Sequence, residues 1–211
     1  MELAVSSVAS SYLDKGRSGF AVGNADVTSL HLIDLVEQFA GSLELPRTIH
    51  SATDARTFRD VLGCCPTSVA VITAQSGDDR LGLVVGSFTS ISLDPPLVGF
   101  FPGRESRTWR KIEEAGRFCV NVLSARQAAV SKTFSSNIED KFAGISHGVS
   151  PGGLPLLDGI AAWVECSIDH VQEIGDHFLV VGTVEAMGKG DGSPLVFLKG
   201  DYFAAHALQS I

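Results

Sequence analysis

The chain of 211 residues is 45% hydrophobic and 19% charged, with a mean hydropathy of +0.22; that supplies one large core with room for a small appendage and excludes wholesale disorder. Lys and Arg total 16 against 24 Asp and Glu, a net charge of −8, and with no basic run such a chain repels nucleic acid and anionic membranes. No stretch approaches the roughly 18 apolar residues of a membrane span. The opening MELAVSSVAS lacks the positive start and apolar run of a signal peptide, so the expected location is cytoplasmic. Cys64, Cys65, Cys119 and Cys166 show no Cys-x-x-Cys spacing, and they read as reduced, mostly buried thiols rather than a metal site or a disulfide framework.

Residues 1–50 differ in texture from the rest. Leu32, Leu35, Val36 and Phe39 fall at i, i+3, i+4 and i+7, one apolar helical stripe, with Asp26, Thr28 or Ser29 as cap and Gly41 and Pro46 as stop. A second helix begins near Asp54, carries Phe58, Val61 and Leu62 on one face, and stops at Gly63. From Thr67 the period becomes that of strands. Residues 67–73 are β-branched and end at the turn cluster 75–79. Residues 81–93 return as one long strand, ended by Asp94-Pro95-Pro96, and residues 97–101 form a third. A helix follows over 106–115 with Ser106 as N-cap, then a strand over 117–123. Ser124 with Gln127 predicts a capping box for a helix running to Phe134. Residues 139–157 read as loop. Three long strands, 161–172, 177–187 and 195–203, close the chain, and Asp191-Gly192 predicts a hairpin before the last. Long strands joined by short turns favour antiparallel pairing in a closed or half-closed barrel over a parallel, doubly wound sheet.

The common catalytic signatures are absent: no Gly-x-Gly-x-x-Gly, phosphate-binding Walker loop, Gly-x-Ser-x-Gly or His-Glu-x-x-His occurs. Three clusters stand out. Ser87, Thr89, Ser90 and Ser92 place hydroxyls in otherwise apolar strand, and alternation puts Ser90 and Ser92 on one face and Thr89 on the other. Such a segment either admits a close-lying ligand or meets solvent and backbone at a sheet edge. Arg104, Ser106, Arg107 and Thr108 stand at a helix start, where free N–H groups and the dipole favour an anion such as phosphate; plain capping by Ser106 is the alternative. Gly175-Asp176-His177 forms a turn between long strands, its histidine either aimed into a cleft or lying on the surface.

At these segments the chain resembles the flavin reductase family, the short reductases that partner two-component flavin monooxygenases. The resemblance covers residues 58–203. It is carried in order by Phe58-Arg59-Asp60-Val61-Leu62-Gly63, the stretches 66–73 and 87–97, Ser106-Arg107-Thr108, the stretch 116–123, Asp140-Lys141-Phe142-Ala143-Gly144, Pro155-Leu156-Leu157, Gly175-Asp176-His177 and Val181-Gly182-x-Val184. It implies a mainly β fold with some α, a split β-barrel of the FMN-binding kind over residues 51–211, with residues 1–50 as a short helical extension. It also implies hydride transfer from NADH or NADPH to N5 of FMN or FAD, a homodimer, and a separate flavin-dependent monooxygenase as partner. The flavin carries that chemistry, so no acid–base pair and no catalytic side chain is expected.

Carried over residue by residue, the resemblance sets Thr67, Ser68 and Val69 against the isoalloxazine or ribityl chain and Ser87, Phe88, Thr89 and Ser90 along the flavin. It sets Ser106 and Thr108 at the phosphate, Phe118 and Asn121 as further flavin neighbours, and His177 on the nicotinamide side, where it orients NAD(P)H. Gly86 departs from the family, which often has Asn or Gln there, so one polar contact to the flavin is expected to be missing. The alternative function is a non-reductase flavin-binding module on the same scaffold. Residues 24–37 with Leu43-Glu44-Leu45-Pro46 resemble part of an acyl carrier protein, Ser29-Leu30 matching its phosphopantetheine serine. Thr28 replaces the expected Asp and the segment is too short for four helices, so a degenerate docking helix is expected rather than a working carrier.

Overall fold

The computed structural model describes residues 54–205; the amphipathic stripe at 32–39, the carrier-like segment and the division near residue 50 lie outside the described residues. Asp54 caps helix α1 (Ala55–Leu62), its carboxylate accepting from the N–H groups of Arg56 and Thr57. Strands β1 (Thr67–Ser68), β2 (Ala70–Ser76), β3 (Asp79–Val85), β4 (Thr89–Leu93) and β5 (Pro96–Phe100) follow, then α2 (Arg107–Ala115), β6 (Arg117–Val122) and α3 (Ala128–Ser135). A short hairpin of β7 (His147–Val149) and β8 (Pro155–Leu157) leads to the long pair β9 (Ala162–Ile174) and β10 (His177–Lys189), and β11 (Leu195–Leu198) with β12 (Asp201–Ala204) ends the described chain.

Seven strands form one antiparallel sheet in the order β3-β2-β6-β9-β10-β5-β4. Its two edges, β3 and β4, are consecutive in sequence and joined by only Gly86, Ser87 and Phe88. So short a link spans at most about 14 Å, so the sheet must curl until its edges nearly meet. The result is the expected mainly β barrel, split along one seam. Ile72, Phe100, Trp109, Phe118 and Val180 fill its interior without exposure, with Phe100 and Phe118 edge to face at 5.2 Å. The outer face of β2 is buried as well, against Leu123, Phe134, Leu157 and Leu195. Burial on both faces explains why residues 70–74 are continuously apolar apart from Thr73, whose hydroxyl donates to the Pro155 carbonyl at 2.6 Å.

Several sequence-derived boundaries change. The strand read over 67–73 is two: Val69 turns inward and its carbonyl accepts from Leu123 N–H, so β1 pairs with β11 while β2 joins the barrel. The strand read over 81–93 is interrupted at the seam, and 195–203 is a hairpin whose turn places Lys199 and Gly200 at φ 51° and 90°. A two-residue turn keeps hydrophobic alternation in phase across both arms, so the pattern hid it. Asp191-Gly192 is no hairpin: β10 pairs with β9 and β5, and β11 with β1 and β12. At α3 the capping box is half made. Gln127 Oε1 accepts from the N–H and hydroxyl of Ser124, while its Nε2 donates to the Asp158 carbonyl and the helix starts at Ala128.

The β9–β10 pair contains register shifts at Val181/Gly182 and between Val184 and Ala186, extra residues that bend and twist the ribbon. Glu165 on β9, 2% exposed, accepts from Arg117 at 2.6 Å and from Gly152 N–H at 3.0 Å, so its buried charge is matched. Arg117 also binds Glu185 at 2.7 Å, which holds the Glu185 carboxyl below its ordinary range. The expectation of mostly buried thiols holds for two only. Cys119 and Cys166 are interior, and burial pushes both up to about 12, whereas Cys64 and Cys65 are exposed. Iodoacetamide at pH 8 should therefore alkylate Cys64 and Cys65 in the native protein and reach Cys119 and Cys166 only in denaturant, read by peptide mass spectrometry.

Candidate functional site

Three of the expected groups meet around the seam. At the link, a Cβ added to Gly86 would stand 3.1 Å from Thr67 Oγ1 and 3.8 Å from the Ser68 carbonyl. The missing side chain thus brings Thr67 and Ser68 against the Gly86-Ser87 backbone. Ser87 Oγ accepts from Phe101 N–H at 2.9 Å, fixing the seam to the loop that leaves β5. Phe88 turns its ring toward the barrel core. Thr89 and Ser90 are exposed at the start of edge strand β4. Beyond them Ile91 is an extra residue, since Ser90 pairs with Val98 and Ser92 with Leu97. The expected opposition of Ser90 and Ser92 to Thr89 therefore does not carry through this bulge.

The loop of residues 101–106 ties the seam to the other two groups. Gly103 bridges to His177, the Phe178 N–H donates to the Pro102 carbonyl, and the Arg104 N–H donates to the Asp176 carbonyl. Arg104 Nη1 also donates to Glu173 at 2.8 Å, a bond that raises the guanidinium pKa further. His177 sits at the tip of the β9–β10 hairpin, whose turn uses Gly175 at φ 62°. Its Nδ1 lies 2.7 Å from Asp176 Oδ1, and that hydrogen bond holds the Asp176 carboxyl below its ordinary range. A carboxylate only accepts, so Nδ1 carries the proton and Nε2 is free for another molecule. The same loop leads into α2, where Ser106 Oγ accepts from Trp109 N–H at 3.2 Å as the N-cap.

Beside that helix start lies a cavity of about 790 Å³, against the free edge of β3 and below the end of α3. This is within the range of cofactor sites, roughly 300–1,000 Å³. Ser106 and Thr108 line it, together with the cations Arg80, Arg107, Lys111 and Lys141. Glu105 and Glu139 also reach it, and Lys111 pairs with Asp79 at 3.5 Å. Lys141 is held by the Phe134 carbonyl at 2.8 Å, and desolvation lowers its pKa. In a chain of net charge −8 this is a local excess of positive charge, suited to a phosphate.

Three expected flavin neighbours are instead interior. Val69 is 4% exposed in the second core. The Phe118 ring is wholly buried between Phe100 and Gly182, whose added Cβ would meet Phe118 Cζ at 2.5 Å. Asn121, also without exposure, has its amide nitrogen within donating distance of Val71 O, Thr73 Oγ1 and Cys119 O, while its Oδ1 accepts from Leu157 N–H at 2.8 Å. Strand position alone cannot say that the neighbouring strands seal these side chains away. The sequence reading missed Arg80, Lys111 and Lys141, which come from three separate segments, and Phe101. The alternation Phe100-in, Phe101-out was the available signal for the last, which is 39% exposed beside Ser87.

Comparison with known proteins places the chain in a family. Residues 62–206 match the family described as flavin reductase like domain. A flavin reductase of Pseudomonas putida is 49% identical over 161 residues, covering 74% of this chain and 95% of that one. The reductase subunit HsaB of a flavin-dependent monooxygenase of Mycobacterium tuberculosis (strain CDC 1551 / Oshkosh) is 45% identical over 152 residues, 71% of this chain and 81% of that one. Among solved structures, a nitrilotriacetate monooxygenase component B homologue from Mycobacterium thermoresistibile superposes with a TM-score of 0.72 at 42% identity, covering 76% of this chain and 91% of that one. The chain belongs to the flavin reductase family.

Because Ser106 both caps α2 and lines the cavity, two substitutions separate the roles. Ser106→Ala should lower stability by about 1 kcal/mol and Ser106→Gly by only a few tenths, read by urea unfolding. A loss of flavin affinity common to both variants would then report the hydroxyl's contact with ligand.

Proposed function

We propose that this chain is an NAD(P)H:flavin oxidoreductase that reduces FMN or FAD and supplies the reduced flavin to a separate flavin-dependent monooxygenase. The observation that carries this reading is the juxtaposition of a hydroxyl-walled seam with a cation-lined cavity of about 790 Å³. These residues fit a flavin. Gly86 lets Thr67 and Ser68 close against the link, and Thr67, Ser68, Ser87, Thr89 and Ser90 offer hydrogen-bonding groups along a planar ring laid at the seam. Ser106 and Thr108 stand by the phosphate end. When bound, the flavin supplies the hydride acceptor. The protein binds the two ring systems face to face, which requires orientation rather than proton transfer. His177, with its tautomer set by Asp176, orients the nicotinamide from the hairpin tip. Phe101, partly exposed and tied to Ser87 through its N–H, stands on the loop that also carries Gly103, the partner of His177.

The assembly proposed is a homodimer. Phe58, Val61 and Leu62 form a stripe on α1 that is 54%, 53% and 51% exposed, and Leu93 on β4 is 91% exposed. Among the described residues nothing covers these apolar side chains, and a second copy would remove them from water. The proposed location is the cytoplasm, where exposed adjacent thiols such as Cys64 and Cys65 stay reduced.

The purified protein should accelerate oxidation of NADH or NADPH, followed at 340 nm, when FMN or FAD is added; no rate above background in any of the combinations overturns the reading. His177→Ala should raise the KM for the nicotinamide nucleotide about tenfold, the worth of one hydrogen bond. Its effect on the flavin Kd should be much smaller, as read by fluorescence titration.

A further inference from the structure

We propose that Arg80 is a phosphate-binding residue of the flavin site and that His147 is the residue that positions it. This rests on the reading that the cavity beside α2 receives the phosphate end of the flavin. Arg80 lies near the start of β3, the edge strand whose far end reaches the seam. It shares a face with Gly82 and Val84, the face toward α3: a Cβ on Gly82 would strike Phe134 Cε1 at 2.1 Å, and Val84 packs in the second core. From there Arg80 lines the cavity.

Its surroundings differ from those of the other arginines that make ion pairs. Arg104 is paired with Glu105 and Glu173, and Arg117 with Glu165 and Glu185. Among the described residues Arg80 is paired with no carboxylate. Its guanidinium is held by two uncharged groups instead. Nη1 lies 3.0 Å from His147 Nε2, and the guanidinium carbon lies 5.4 Å from the Phe142 ring centroid. Phe142 and His147 meet edge to face at 5.1 Å, so the two holders brace each other.

The protonation state of His147 follows from its two neighbours. Nδ1 lies 2.8 Å from the Ile145 carbonyl, which can only accept, so Nδ1 carries the hydrogen. Arginine can only donate, so Nε2 presents its lone pair. His147 is therefore a neutral acceptor. It fixes the direction of the Arg80 fork without cancelling its charge. An arginine fixed in place, with four N–H donors and a full charge unspent, facing a cavity that also holds Arg107, Lys111 and Lys141, matches a planar two-pronged contact to phosphate. The segment 141–147, which ends at the first residue of β7, supplies Lys141, Phe142 and His147, so one stretch of chain both orders Arg80 and adds its own cation.

Riboflavin, FMN and FAD share the isoalloxazine ring and ribityl chain and differ in phosphate, so they are the probes. For the wild type, kcat/KM and Kd are measured with each, and the same is done for Arg80→Ala, Arg80→Lys, His147→Ala, His147→Gln and the double alanine variant. Arg80→Ala should reduce the preference for FMN over riboflavin about tenfold, chiefly through KM, and Arg80→Lys should restore only part of it. His147→Ala should act in the same direction with a smaller factor and add nothing in the Arg80→Ala background. His147→Gln, whose Oε1 can replace the Nε2 acceptor, should recover most of the loss. A fall of equal size for riboflavin and FMN, or no fall, overturns the phosphate role of Arg80. Additive effects of the two alanine variants overturn positioning by His147. Wild-type protein that reduces none of the three flavins overturns the underlying site reading itself, an outcome distinct from the other two.

Discussion

Strands β3 and β4 follow one another in the chain yet lie at opposite edges of a seven-stranded sheet, with three residues between them. That connection cannot be made by a flat sheet, so curvature is imposed by chain length before any side chain is considered. Hydrogen bonds close the barrel everywhere except between these edges, and the link of Gly86, Ser87 and Phe88 runs across the gap. An open sheet edge exposes unpaired backbone groups. Here those groups lie beside hydroxyls and cations, and the proposed flavin site is set at this gap in the barrel.

The interior supports this arrangement by packing rather than by charge. Phe100, Trp109, Phe118 and Phe178 interlock at ring-centroid distances between 5.2 and 6.4 Å, and the outer face of β2 is covered by α3 and the β7–β8 hairpin region. Asn121 and Glu165 are interior and matched, Asn121 to β8 and β2, Glu165 to Arg117 and Gly152, whereas the buried Trp109 Nε1 has no hydrogen-bond partner among the described residues. The loop of residues 101–106 is fixed at three points, to Ser87, to Pro102 and Gly103 against the hairpin tip, and to Glu173 through Arg104. The loop is thus held by backbone hydrogen bonds to the hairpin tip, by the Ser87 hydroxyl and by one exposed ion pair.

Much of this was legible in the residues. The antiparallel barrel followed from long β-branched runs and short turns, and α1 and α2 from Asp54 and Ser106 at their N-caps. The hydroxyl segment, the anion-suited helix start and His177 were each visible as local clusters. Their convergence was not, because it depends on one loop whose contacts lie far apart in sequence. Errors arose where a local pattern has two spatial solutions. Alternation through residues 195–203 fits a strand or a tight hairpin, and Asp191-Gly192 fits a hairpin or a crossing between sheets. Phe118 and Asn121 sit on a strand whose two faces are both sealed, a fact set by Phe100 of β5 and Gly182 of β10 on one face and by β8 on the other rather than by β6. Arg80 carried no local signal at all, since its meaning comes from Phe142 and His147.

The bulged ribbon of β9 and β10 links the buried Phe118 to the hairpin tip that carries His177. Gly182 rests on that ring at the first register shift, five positions along the strand from His177. The hairpin is thus anchored in the apolar interior, while its tip carries His177, the residue proposed to orient the nicotinamide. A tilt of a few degrees at that anchor becomes a displacement of the order of 1 Å at the tip, and misplacement on that scale costs about a hundredfold in rate. Under the proposed role of His177, repacking at Phe118 or Gly182 deep inside the barrel would reach the nicotinamide contact without touching a ligand.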